Sequence, residues 1–135
     1  MTSYNPGNGE ALAQIVDASN EDVDRAVAAA TKALETWRKT SIVERSNILL
    51  KIADLIDENT DYLATVETLD NGKPIRETSK VDVPLAANHF RYFAGVIRSE
   101  EGTAKQLDEH TLTINLKEPI GVVGQIIPWN FPFYP

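Results

Sequence analysis

The sequence predicts an α/β or α+β piece in which helices come first and strands last. Three observations carry this. Apolar residues recur at helical spacing from Val23 to Ile97. After Gly102 the pattern switches to alternation. A nearly continuous apolar run, Ile120 to Ile127, then follows. The 135 residues suffice for one ordinary domain, and 42% apolar with 24% charged residues is a globular composition.

The elements follow in order. Asn5-Pro6-Gly7-Asn8-Gly9 is dense in turn residues, and Ala11 to Asp17 alternates loosely through Leu12, Ile15 and Val16, which predicts a strand. Ser19 with Asp22 three residues on reads as a capping box, and Val23, Val27, Ala30, Leu34 and Trp37 mark the buried face of an amphipathic helix over 20–38. Ser41 and Glu44 form a second capping box. It opens a helix whose buried face is Ile48, Leu49, Ile52, Leu55 and Ile56. A loop at Glu58-Asn59 leads to a third helix through Tyr62, Leu63, Val66 and Leu69. Asn71-Gly72 stops it, because glycine takes the left-handed conformation without a Cβ penalty. A fourth helix runs from Ile75 or Glu77 to Ile97, with Val81, Leu85, Phe93 and Val96 facing the core. Pro84 either kinks it or marks its true first turn. His110 to Lys117 alternates cleanly, which predicts a strand half-buried on its Leu112, Ile114 and Leu116 face. Ile120 to Ile127 reads as a strand covered on both faces, with Gly121 and Gly124 permitting close backbone approach.

Composition excludes several functions. A net charge of −7 argues against a partner bound through nucleic-acid phosphates. Apolar runs are too short for a membrane span and the N-terminus lacks the pattern of a signal peptide, so no membrane role and a cytoplasmic location are expected. With no cysteine there is no disulfide, no thiolate metal site and no thiol nucleophile. No GxGxxG or Walker motif occurs, and the GxxG of Gly121 to Gly124 has apolar rather than basic flanks, unlike an RNA-binding loop. His89 and His110 lie on different elements, and the acidic residues, Glu67 and Asp70 among them, read as solvated helix faces and caps. No metal ligands are expected.

Chemistry concentrates at the end of the chain. Asn130 lies between Trp129 and Phe131 and between the φ-restricting Pro128 and Pro132. Its carboxamide offers two neutral donors at any pH, which suits stabilisation of a developing oxyanion. An asparagine here also suits a turn or helix cap, and both readings stand on the residues alone. Ile126, Ile127, Pro128 and Trp129 read either as an apolar wall for a planar cofactor or as core.

The stretch Glu118 to Pro132 resembles the hallmark segment of the aldehyde dehydrogenase superfamily almost residue for residue. Asn5-Pro6 with Gly9-Glu10, Glu21 to Val27 with Trp37, Glu44-Arg45 with Leu49-Leu50, Glu67 to Pro74, and Arg91 to Gly95 follow in that family's order. The resemblance implies NAD- or NADP-dependent oxidation of an aldehyde to a carboxylic acid. In the family a cysteine thiolate attacks the aldehyde carbon, and the oxyanion is held by the asparagine matching Asn130. Hydride passes to the nicotinamide, and a glutamate activates water to hydrolyse the thioester. Ile126, Ile127, Pro128 and Trp129 match positions lining the cofactor cleft, and about 103–120 matches part of an oligomerisation hairpin in a homo-oligomeric family. Residues 1–135 are then expected to form a partial, N-terminal cofactor-binding domain.

The departures matter equally. The nucleophile is missing, and the family's nucleotide-binding Lys, general-base Glu and nucleophile loop match nothing here. A truncated aldehyde dehydrogenase, inactive as this chain alone, is the leading expectation, whether the ending reflects truncation, a shifted frame or design. A non-catalytic fragment that pairs with intact subunits through Thr111 to Leu116, or a decayed gene product, are the alternatives.

Overall fold

The computed structural model describes residues 1–133, so the last two positions of the expected 1–135 domain, Tyr134 and Pro135, lie outside the described residues. The chain begins with an antiparallel hairpin, β1 (Thr2–Tyr4) and β2 (Ala11–Gln14), paired Thr2 to Gln14 and Ser3 to Ala13. Strands therefore precede as well as follow the helices. The Ala11 to Asp17 strand exists but stops at Gln14.

Five helical segments follow: α1 (Asn20–Trp37), α2 (Ile42–Glu58), α3 (Thr60–Asn71), the single turn α4 (Ile75–Glu77) and α5 (Val83–Ser99). A π-turn over Thr78–Asp82 joins the last two. Each start has a local cause. Ser19 and Asp22 form the reciprocal capping box at α1. At α2 only the serine arm forms, with the Ser41 hydroxyl accepting from Glu44 N–H at 3.1 Å, so the expected second box is half present. Gly72 ends α3 at φ 83°, and a Cβ there would also meet the Pro6 ring at 2.8 Å.

Of the two expected readings of Pro84, the first-turn position is the one found. The proline occupies the first turn of α5, where its missing N–H costs little, and the chain reaches it through a π-turn rather than a clean break. The Val83 N–H donates five residues back to Thr78 O, and both residues are fully buried.

The core lies where α2 packs along α5 and α3 closes one end. Ala53, Ile56, Ala64, Val83 and Ala87 form it, flanked by Ile52, Leu63, Phe90 and Phe133. This corrects the expected face of the last helix. Val81, Leu85 and Phe93 are exposed, whereas Val83, Ala86, Ala87 and Ala94 are buried. Alanines let the α2 and α5 backbones approach closely. The Ser46 hydroxyl exploits this by donating to Ala94 O at 2.8 Å while accepting from Arg98 Nε at 2.6 Å. Outside the seam, Arg91 of α5 bridges Asp54 and Asp57 of α2 at 2.8 and 2.7 Å, and such exposed pairs contribute little. Expected core residues Ile48 and Leu55 of α2 are likewise exposed.

The face of α1 bearing Val23, Val27 and Trp37 is amphipathic as expected but uncovered, and α1 buries no residue. Leu34 and Arg38 border a small cleft with Glu118, Pro119, Ile120 and Gly121.

After α5, β3 (Thr103–Asp108) and β4 (Thr111–Asn115) form a second antiparallel hairpin, paired from Thr103–Asn115 to Asp108–Thr111. The half-buried face expected of β4 is not buried: among the described residues nothing covers Leu112, Ile114 and Leu116. The second correction is larger. Ile120 to Ile127 takes no regular secondary structure and pairs with no strand among the described residues, and Ile120, Val122, Val123, Ile126 and Ile127 are exposed. A parallel-type strand takes its cover and its ladder bonds from neighbours, and the described residues supply none. A Cβ at Gly124 would have nothing within 4 Å, so no close approach uses that glycine.

Candidate functional site

The irregular stretch after β4 ends in a turn. Phe131 N–H donates to Pro128 O at 3.3 Å, which places Trp129 and Asn130 at the two central turn positions. Asn130 is exposed, and no hydrogen bond among the described residues engages its carboxamide. Both amide hydrogens are therefore available to an incoming oxygen.

The turn is held from one direction. Asn71, the last residue of α3, donates through Nδ2 to Trp129 O at 2.6 Å. Lys73 Nζ stands 3.9 Å from the centroid of the Phe131 ring, at cation–π distance. Phe133 packs against the helical core. Between these anchors Asn130 projects from a backbone fixed on both flanks.

The preceding residues form a bare apolar strip. Ile126 is 99% exposed and Trp129 84%, with Ile127 also open. Such side chains suit contact with a flat apolar partner. No glycine-rich turn at a helix start adjoins them in the sequence, and Lys73, the cation at this turn, is already engaged by Asp82, Glu67 and the Phe131 ring. As half of a cofactor cleft the strip fits; as a whole one it does not.

Beneath the turn lies a charge cluster. Glu67 of α3 is 5% exposed and Asp82 of the π-turn 3%. Lys73 is hydrogen-bonded to Asp82 and lies 3.5 Å from Glu67 Oε1. Neither Glu67 oxygen has a hydrogen bond among the described residues. Burial pushes the Glu67 carboxyl above its ordinary value, the adjoining Asp82 pushes it further, and Lys73 opposes both. The expectation that Glu67 lies on a solvated face is thereby overturned: the close turn at Gly72 folds Lys73 back over it. The hairpin packs nearby, and Ser3 Oγ donates to Asp70 Oδ1 at 2.6 Å.

Other residues weighed from sequence stay apart. His89 Nδ1 lies 3.0 Å from Leu85 O within α5, and His110 N–H donates to Asp108 Oδ1 at the β3–β4 turn. Among the described residues no group of three or more His, Asp or Glu gathers as a metal site would need. No helix there is long and apolar enough to cross a membrane.

Asn71 and Lys73 are the site residues that sequence reasoning missed. They were legible only as helix-stop chemistry. The one available signal was an excess of polar groups, since glycine alone suffices to end the helix.

The aldehyde dehydrogenase family profile matches residues 1–134. An aldehyde dehydrogenase of Vibrio cholerae is 60% identical over 132 residues, covering 98% of this chain and 26% of the relative. An acetaldehyde dehydrogenase of Pseudomonas aeruginosa is 54% identical, with the same coverage. Among solved structures, the NAD+ complex of aldehyde dehydrogenase from Bacillus cereus superposes with a TM-score of 0.95 at 40% identity, over 98% of this chain and 28% of that one. The chain thus spans about a quarter of the length of the relatives it matches, and its mixed helix-and-strand architecture is that of their N-terminal part.

Proposed function

The chain belongs to the aldehyde dehydrogenase family, and on that premise we propose that it supplies the oxyanion-stabilising part of an NAD- or NADP-dependent oxidation of an aldehyde to a carboxylic acid. One observation carries this reading: the Asn130 carboxamide is exposed, unengaged and presented from a turn braced on both sides. When a thiolate adds to an aldehyde carbon, negative charge develops on the oxygen. A preorganised neutral donor lowers that barrier, and loss of one such donor costs about 10²–10³ in rate. Asn130 is the residue assigned this role.

Ile126, Ile127, Pro128 and Trp129 are proposed to contact the nicotinamide cofactor, which when bound supplies the hydride acceptor. These residues bring flat apolar surface to one side of that group and exclude water from it. Residues 1–135 then form a partial, N-terminal cofactor-binding domain. The hairpin of β3 and β4, within about 103–120, is its share of a homo-oligomeric contact. A cytoplasmic location and the absence of a nucleic-acid or membrane partner belong to the same reading.

The chain by itself contains no cysteine, so it has no thiol to attack the aldehyde. In an NADH-formation assay the purified 135-residue chain is expected to give no aldehyde-dependent signal. Turnover above a no-aldehyde blank would overturn this.

A second, non-catalytic reading is favoured by the exposed Leu112, Ile114 and Leu116 on β4: addition of this hairpin to an intact subunit of a relative. Native mass spectrometry of the chain with a full-length relative decides it, since separate masses alone rule the role out. A decayed gene product remains the bland alternative, and a cooperative thermal transition counts against it.

A further inference from the structure

We propose that Asn71 and Lys73 are positioning residues that hold the Asn130 carboxamide in its working orientation; this rests on the reading of Asn130 as the oxyanion donor. Neither residue hydrogen-bonds the Asn130 carboxamide. Asn71 Nδ2 donates to the carbonyl of Trp129 at 2.6 Å. Lys73 Nζ sits 3.9 Å from the centroid of the Phe131 ring. The two neighbours of Asn130 are thus gripped from a single tripeptide, Asn71-Gly72-Lys73.

The geometry depends on Gly72. Its φ of 83° reverses the chain at the end of α3, so that side chains from both sides of the reversal meet the same turn. Lys73 in turn is fixed from below by its bond to Asp82 and by Glu67 at 3.5 Å. An asparagine whose only task was to end α3 would bond a nearby helical carbonyl. The Nδ2 of Asn71 instead spans 58 residues of sequence to reach Trp129 O.

The grip matters because the approach to the turn is unsupported. The backbone of residues 118–128 takes part in no strand ladder. An oxyanion donor has to be held within about 0.5 Å and 10–20° of its productive geometry to act. Released from Asn71 and Lys73, the turn would follow a segment with no ladder bonds to steady it, and the benefit of preorganisation would be lost.

Two measurements test this. In the 135-residue chain, the Asn130 side-chain amide and Trp129 indole are followed by NMR relaxation, with the Trp37 indole as an internal control. Both should be as restrained as the helical backbone, and Asn71→Ala, or Phe131→Leu, which removes the ring facing Lys73 but leaves the Lys73 ion pairs, should release them while the helical signals stay put. Restraint that survives both substitutions overturns the proposal, as does a Trp129 indole already mobile in the unsubstituted chain. The second measurement places this sequence in the matching segment of the Vibrio cholerae relative. There Asn71→Ala and the same-sized but donor-less Asn71→Asp should each lower kcat about 10-fold, a fraction of the loss from deleting an oxyanion donor outright. The aldehyde KM and the melting temperature should stay close to the parent values. Asn130→Ala separates the two ideas. If it leaves kcat intact, the functional reading fails; if it abolishes turnover while both Asn71 variants match the parent, only the positioning role fails.

Discussion

Burial holds the Glu67 carboxyl above its ordinary value, with Asp82 adding to the effect, and this has a direction in pH. A carboxyl whose folded pKa is raised binds its proton more tightly in the folded chain. The stabilisation is therefore fully present below the unfolded value and is lost as pH rises through the folded one. Glu67→Gln, which cannot ionise, should raise the melting temperature at pH 8 and leave it nearly unchanged at pH 4. Thermal melts at the two pH values check this, and an equal effect at both removes the ionisation argument. At this scale the sequence was legible where one residue type has one strong use. Gly72 as a left-handed helix stop and Ser19 with Asp22 as a capping box stand as expected. Glu67 was not legible, because its burial depends on Lys73 folding back across Gly72 and on Asp82 arriving from another element.

The helices show why periodicity located the elements better than their faces. All three long helices preceding the π-turn lie where the spacing puts them, but bulky apolar residues proved a poor guide to the core. On α5 the large residues Leu85 and Phe93 point outward, and the seam with α2 is built from Ala53, Ala86, Ala87 and Ala94. Small side chains carry little hydropathy, yet they set how near two helices can lie. Ala87→Leu should consequently destabilise the chain by about 1–3 kcal/mol through overpacking, whereas Phe93→Ser on the exposed face should be near neutral. Denaturant titration of both variants checks the contrast, and reversed effects would place the core on the other face. The apolar stripes of α1 and β4 are real in the sequence but uncovered in the fold. A pattern records what a surface is fit to bury against, not whether this chain supplies the partner.

On the scale of the whole molecule, the same point governs Ile120 to Ile127. Its apolar run signals a segment fit for cover, and the described residues hold no neighbouring strand to provide it. An exposed apolar segment rich in β-branched residues invites pairing with other chains. Sedimentation of the 135-residue chain should show concentration-dependent association, and Ile126→Lys should weaken it. Concentration-independent monomers in the parent would contradict this. The family's architecture was readable because its motifs run along nearly the whole chain; which faces stay open depends on tertiary partners that no local pattern encodes. The π-turn carries a different kind of consequence. Thr78 has to meet Thr68, Asp82 has to meet Lys73, and Val83 has to enter the core. All three are satisfied because the helix takes five residues, Thr78 to Asp82, where a regular turn would use fewer. The quantity under constraint is an integer. Lys80 is exposed and its side chain is expendable, so Lys80→Ala should melt like the parent. Deleting Lys80 altogether removes no interior side chain, yet it throws the two ends of the helix out of step and should lower the melting temperature sharply. Along this stretch the protein tolerates a change of letter and not a change of count.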